Sequence, residues 1–201
     1  MKIHFVRHGE TEWNVKKKIQ GKTDIPLNEN GRNQAKKLAE KLVKEQFYAV
    51  KVYSSPQLRA LQTAQTVAEA LQIPCEIIDG FAEMDLGEWE GLNWKTIHKE
   101  YGDVYHYWNT NRRYVSTPGG ECYNEVLKRT LEGLAFILER EAEDVLVVTH
   151  SAILMSLRCY LARRPFDEDE MVGRYKTKNA EVVSIEADAI REALKRFRAG
   201  E

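Results

Sequence analysis

Val145, Leu146, Val147 and Val148 form an apolar run without a break, closed by Asp144 before it and Thr149 after it. A strand with one wet face alternates polar and apolar residues. A run with no alternation is buried on both faces, as in a parallel sheet covered by helices on each side. Shorter runs of similar character predict further strands over 2–6, 50–53, 75–78 and 180–185, beside this one at 144–149. The stretches between them carry helical spacing. Ala35, Leu38, Ala39, Leu42 and Val43 line one face of a helix predicted over 31–45. Ser54-Ser55-Pro56 reads as a serine cap with proline at the first helical position, opening a helix that runs to 71. Val126, Leu131, Leu134, Ala135 and Leu138 point inward from a long helix over 121–141. Helices over 152–162 and 188–198, and a short helical turn over 167–171, complete the set. Strands alternating with helices imply an α/β fold, a three-layer α/β/α sandwich around a mainly parallel central sheet. The 201 residues suffice for one domain with a full core.

Residues 79–120 differ in character. They hold Phe81, Trp89, Trp94, Tyr101, Tyr105, Tyr107, Trp108 and Tyr114, together with several glycines. Two short helices are expected here, over 93–101 and 104–109, between loops. The segment reads as a small helical and loop cap inserted into a single domain spanning 1–201. Its aromatics are either a satellite core that packs the insertion onto the sheet or a lid over a pocket.

Charge and cysteine usage narrow the class. The net charge of −1 and the lack of a basic face speak against nucleic acid as a partner. No apolar run is long enough to cross a bilayer, and Met1-Lys2 lead straight into a strand, with no signal-peptide core, so neither a membrane nor secretion is expected. Cys75, Cys122 and Cys159 are widely spaced and form no CxxC pair, as expected of reduced thiols in a cytoplasmic protein. None has arginine six positions on, which removes cysteine-phosphatase chemistry: Phe81, Lys128 and Pro165 stand there. No GxxxxGK[ST] or GxGxxG phosphate loop and no GxSxG elbow is present. The spacing of Cys, His and carboxylates shows no zinc pattern.

What remains is a set of polar residues just beyond the strands. Arg7 and His8 follow the first, with Gly9 behind them. Ser54, Ser55 and then Arg59, in the first turn of its helix, follow the second. Glu83 follows the third and His150 the strand at 144–149. In a parallel sheet these ends share one edge, the edge where open α/β sheets bind their ligands. Each residue alone has an ordinary reading as a cap, a solvated carboxylate or a helix-surface arginine. Two arginines, two histidines and a glutamate on one rim are harder to dismiss.

Arg7-His8-Gly9-Glu10-Thr11 with Trp13-Asn14 resembles the Arg-His-Gly-Glu signature of the histidine phosphatase superfamily, also called phosphoglycerate mutase-like. Gly21-Lys22-Thr23-Asp24-Ile25-Pro26-Leu27 with Gly31 and Gln34-Ala35 is similar to its second block. Ser54-Ser55-Pro56-Gln57-Leu58-Arg59 through Ala64 resembles the block with the second phosphate-binding arginine. Glu83 with Gly87-Glu88-Trp89-Glu90-Gly91 resembles the acid block, and Val147-Val148-Thr149-His150 that of the second histidine. The five blocks come in order and span 2–185.

The resemblance implies a phosphoric monoester hydrolase in which His8 attacks phosphorus and becomes a phosphohistidine. Arg7, Arg59 and His150 would hold the non-bridging oxygens. Glu83 would protonate the leaving oxygen and then take a proton from water, which requires a raised pKa. Asn14, Gln20, Thr23 and Ser151 are candidates to reach the phosphate or leaving group. No metal and no cofactor is required, because the arginines supply the charge. The substrate would be a small phosphorylated metabolite: a sugar phosphate, phosphoglycerate, ribazole phosphate or phosphoserine. A homodimer is compatible with the resemblance. The mutase branch of the family is generally longer before the long helix and places arginine directly after the acid. Here Met84 stands there and only 85–120 separates Glu83 from that helix, which favours hydrolysis over phosphoryl return. Arg112-Arg113 points the other way, either as a clamp for a substrate carboxylate or second phosphate or as a solvated pair. A third reading, a phosphate-binding regulatory module without chemistry, predicts a missing member of the set, and none is missing.

Overall fold

The computed structural model describes residues 1–201, leaving aside the side chain of Asp169. Five strands form one sheet: β1 (Lys2–Arg7), β2 (Val52–Ser54), β3 (Cys75–Ile77), β4 (Val145–Thr149) and β5 (Val182–Glu186). Their order is β3-β2-β4-β1-β5. β1 pairs parallel with β4, and β2 parallel with both β4 and β3, while β5 runs antiparallel to β1 at the edge. The register sets Arg7 beside Thr149 and Ser54 beside Val148. The residues that leave β1 and β4 therefore leave side by side.

The two-residue period of each strand divides the core. Val6, Val52, Leu146 and Val148 face α2 (Glu29–Lys44) and α3 (Leu58–Leu71), which bring Leu38, Leu42, Ala60, Ala64 and Val67 to that side. Ile3, Phe5, Tyr53, Val145 and Val147 face the other way. There they meet Leu127 and Leu134 of α6 (Tyr123–Arg140), Ile153 and Leu157 of α7 (Ser151–Leu161) and Ile190 of α8 (Ala187–Arg198). Each of these large side chains contributes about 1.5–3 kcal/mol on burial. The result is the three-layer sandwich with a mainly parallel sheet that the periodicity predicts.

Several local expectations shift. The loop after β1 contains one turn of helix, α1 (Glu12–Val15), closed by a reciprocal capping box between Thr11 and Asn14. Four residues give no periodicity to read. Ser54-Ser55-Pro56 does not cap α3: β2 extends through Ser54, the helix opens at Leu58, and Gln57 is its N-cap without a side-chain cap bond. A π-helical turn, Asp169–Arg174, stands where a short turn over 167–171 was expected. Ala180, expected in the last strand, instead takes a left-handed turn conformation before β5 (φ 56°).

In 79–120, turns at Asp79–Phe81 and Gly87–Trp89 precede α4 (Trp94–Glu100) and α5 (Gly102–Thr110). Trp89 and Trp108 meet edge to face with centroids 5.0 Å apart, and both belong to the buried cluster on the α6 face. Tyr107 and Tyr114 are exposed. Most of the aromatic content thus continues the core.

Candidate active site

His8 leaves the end of β1, its backbone N–H bonded to the Thr149 carbonyl (3.0 Å). The ring is almost fully buried. Its Nδ1 lies 2.6 Å from the Gly9 carbonyl. A carbonyl only accepts, so Nδ1 carries the proton and Nε2 of the neutral ring keeps its lone pair. Burial, and after it the charges of Arg59 and Arg7, hold the His8 pKa well below its ordinary value. The backbone behind the ring is pinned twice more: Thr63 Oγ1 accepts from Gly9 N (3.1 Å), and Asn179 Nδ2 donates to the His8 carbonyl (2.7 Å). Gly31, in the first turn of α2, lies against this loop so closely that a Cβ on it would stand 2.0 Å from the Glu10 carbonyl oxygen.

Arg59 is fully buried. Its Nη1 and Nη2 donate to the carbonyls of Thr23 (2.9 Å) and Gly21 (2.8 Å). Gly21 has φ +50°, and a Cβ there would strike the Glu90 carboxylate. Glycine is what lets this loop turn its carbonyl onto the arginine. Arg7 gives Nη1 to the Thr177 carbonyl (2.7 Å). His150 sits where β4 gives way to α7, its Nε2 2.7 Å from Ser55 Oγ and its ring centroid 5.1 Å from that of His8. Burial first, then the charge of Arg59 and of its neighbours, pushes its pKa well down. Among the described residues, three buried nitrogens of this rim lack any protein partner: Arg7 Nε, Arg59 Nε and His150 Nδ1. Unmet buried polar groups are rare and need an explanation.

Glu83 lies in the segment after the Asp79–Phe81 turn. Its Oε1 accepts from Met84 N (2.9 Å), and Ala152 N stands 3.5 Å from Oε2. Burial raises its pKa, opposed by the nearby charges of Arg59 and Arg7 and by those two backbone donors. Burial thus favours the neutral form of this carboxyl, as it favours the neutral form of the His8 imidazole.

The five residues expected on one rim, Arg7, His8, Arg59, Glu83 and His150, therefore come together. The weaker candidates divide. Asn14 spends its Oδ1 on Thr11, and Gln20 Oε1 accepts from the Thr11 hydroxyl (2.8 Å). Thr23 gives its hydroxyl to Glu90, and Ser151 opens α7 beside His150. Arg112 and Arg113 diverge. Arg112 is buried over the Trp108 ring and bonded to Asn109 and Glu168. Burial pushes the Tyr123 hydroxyl up to about 12, and the charge of Arg112 works against that rise. Arg113 instead donates to the Glu201 carbonyl (2.7 Å) and lies over the Tyr160 and Phe166 rings. The pair does not act as one clamp.

Gln57, Asn179 and Thr63 were missing from the sequence reading. Gln57 Oε1 accepts from Glu83 N (2.7 Å) while Nε2 donates to the Gly21 carbonyl (2.9 Å), so one amide ties the acid to the arginine loop. Its place two residues before Arg59 is the only signal the sequence offers.

A family model described as "Histidine phosphatase superfamily (branch 1)" matches residues 3–199. Phosphoglycerate mutase-like protein 4 of Arabidopsis thaliana is 38% identical over 170 residues, covering 81% of this chain and 71% of the relative. A metal-independent phosphoserine phosphatase of the same plant is 36% identical over 159 residues, covering 77% of this chain and 66% of its own length. The solved structure of YhfR from Bacillus stearothermophilus superposes with a TM-score of 0.81 at 32% identity, over 92% of this chain and 90% of that one.

Proposed function

This chain belongs to the histidine phosphatase superfamily, and on that footing we propose that it hydrolyses small phosphomonoesters through a phosphohistidine on His8, without a metal ion. The observation that carries the proposal is the His8 ring, whose Nδ1 proton is held by the Gly9 carbonyl so that Nε2 keeps its lone pair, within the field of Arg59 and Arg7. Relatives named as phosphatases support hydrolysis as the outcome.

In the first step the Nε2 lone pair of His8 attacks phosphorus in line. The bond to the leaving oxygen breaks, and that oxygen takes the proton of Glu83. Arg7 Nε and Arg59 Nε, which have no protein partner among the described residues, are donors offered to the non-bridging oxygens, and His150 Nδ1 joins them in the tautomer whose Nε2 accepts from Ser55 Oγ. Held in place before the reaction, they need no reorganisation as charge develops. In the second step water attacks phosphorus and gives a proton to the Glu83 carboxylate. The N–P bond breaks, its electron pair returns to Nε2, and inorganic phosphate departs. The two arginines supply the two positive charges a phosphate dianion needs, which is why no metal is invoked.

Turnover of 4-nitrophenyl phosphate and glycerol phosphate in excess chelator, with a parallel assay for phosphoglycerate isomerisation, tests the reading. Wild-type enzyme should release phosphate and form an acid-labile phosphoenzyme in rapid-quench samples. His8→Ala should do neither. Undiminished turnover in His8→Ala would overturn the nucleophile, and loss of wild-type turnover in chelator would overturn metal independence.

A further inference from the structure

We infer that Arg129 is a positioning residue for the acid step: through one planar fork it fixes where the Glu83 carboxyl stands. The inference rests on Glu83 acting as the proton donor. Residues 79–85 leave the sheet and, after the Asp79–Phe81 turn, belong to no helix or strand. Their carbonyls have no regular ladder to join, so their place depends on what bonds them from outside. Arg129, on α6, meets most of that need. Its Nη1 donates to the carbonyls of Gly80 (2.9 Å) and Ala82 (2.6 Å), and its Nη2 to the carbonyl of Glu83 itself (3.1 Å). Along its other edge Nε and Nη2 grip both oxygens of Glu121 at 2.9 and 3.0 Å. Glu121 Oε2 in turn accepts from Asp85 N (2.8 Å). One guanidinium and one carboxylate therefore brace the main chain on both sides of residue 83. Gln57 holds the Glu83 N–H from the opposite direction.

This arrangement acts through geometry. The charges felt by the Glu83 carboxyl are those of Arg59 and Arg7, whereas Arg129 contacts only the backbone around it. A lysine at 129 would keep the positive charge but offer a compact point donor, unable to span three carbonyls and a bidentate carboxylate in one plane. A general acid must stand about 2.6–3.2 Å from the oxygen it protonates. A displacement of about 1 Å at such a site can cost about a hundredfold. Only substrates whose leaving group needs the proton should register it.

The test compares kcat/KM for glycerol phosphate and 4-nitrophenyl phosphate in Arg129→Lys, Glu121→Gln and Glu83→Gln, each checked for folding by its thermal midpoint. This ratio reports the phosphorylation step, so the later role of Glu83 toward water does not enter. Arg129→Lys and Glu121→Gln should each lose about tenfold to a hundredfold on glycerol phosphate and far less on nitrophenyl phosphate. Equal losses on both substrates, or wild-type values in Arg129→Lys, would overturn the positioning role. Glu121→Gln, which keeps the Arg129 fork, serves if the lysine variant does not fold. If Glu83→Gln shows the selective loss and the other two do not, Arg129 alone is refuted. If Glu83→Gln lacks it, the acid assignment falls and the inference with it.

Discussion

Replacing Glu83 by glutamine should shift the balance of stability toward the variant as pH rises, while it disables the chemistry. The carboxyl is buried, with one good backbone donor on Oε1 and a long contact on Oε2. Among the described residues it has no arginine or lysine in direct ion-pair contact. Burial raises its pKa above the ordinary carboxylate value. A group raised in the folded state gives its full stabilisation below its unfolded pKa and loses it as pH climbs through the folded one. Wild-type stability should therefore fall across that window relative to a variant that cannot ionise. One pH unit of displacement is worth about 1.4 kcal/mol, and in a chain of this size about 1 kcal/mol moves the midpoint by about 2–4 °C. The glutamine amide adds a cost of its own, about 1–3 kcal/mol if its NH2 stays unpaired, but that cost does not vary with pH. The measurement is thus the slope: Tm of Glu83→Gln minus Tm of wild type, by calorimetry, from pH 4 to pH 9. The difference should grow toward alkaline pH, by about 3–6 °C for each pH unit by which folding raises the carboxyl. A flat difference, or one that shrinks, would show that the carboxylate is not paying for its burial and would remove the basis for a protonated acid at neutral pH.

Ser55→Ala removes the partner of His150 Nε2 and should lower kcat/KM by about tenfold to a hundredfold, the equivalent of about 1–3 kcal/mol; wild-type kinetics would rule out Ser55 as the group that orients His150. Gly31→Ala forces a Cβ to within 2.0 Å of the Glu10 carbonyl, backbone that cannot rotate away. It should cost about 1–3 kcal/mol and lower kcat together with Tm, and an unchanged Tm would contradict the close approach. The pH profile of kcat/KM, corrected for ionisation of the substrate, should keep its acid limb below the ordinary histidine range of about 6.5, because His8 stays neutral there. An acid limb at the ordinary value would mean that the ring is not desolvated as the structure has it.

The sheet was legible because burial on both faces leaves a mark in composition. The Val145–Val148 run can only be an inner strand, and β4 does lie at the centre with its neighbours parallel. The rim was legible for the same reason, since a parallel sheet sends every strand end to one edge. Ser55 was misread. Serine before proline is a strong local cap signal, but its hydroxyl has a tertiary partner in His150, and α3 starts later with no side-chain cap. Asn179 and Arg129 leave no trace, and Gln57 only its place in the block around Arg59, because each works on main chain distant in sequence. Their bonds to Gly21, His8 and residues 80–83 exist only once the layers have packed. Arg112-Arg113 fails in the opposite sense. Adjacency suggests a joint clamp, yet the two guanidinium groups end over different rings, Trp108 for one and Tyr160 with Phe166 for the other.

These placements share a sign. Arg7, Arg59, His8 and His150 all lie where burial disfavours positive charge, and Glu83 lies where burial disfavours negative charge. Arg7 Nε, Arg59 Nε and, in the tautomer whose Nε2 accepts from Ser55 Oγ, His150 Nδ1 add donors with no protein partner among the described residues. Within the protein, the charges of Glu83, Asp24 and Glu90 offset part of the cost at Arg59, and that of Glu83 part of the cost at Arg7. On the proposed reading a phosphate dianion would go further: it would pair with both arginines, accept from the idle donors, and leave His8 and Glu83 in the neutral states that burial favours. The rim is thus poorly matched to being empty and well matched to phosphate, which is the difference in stabilisation that binding and catalysis both draw upon. The residues that hold it so, Gln57 across the top and the Arg129–Glu121 brace beneath, touch main chain rather than substrate. They keep the acid and the arginine loop from relaxing toward the arrangement an empty site would otherwise prefer.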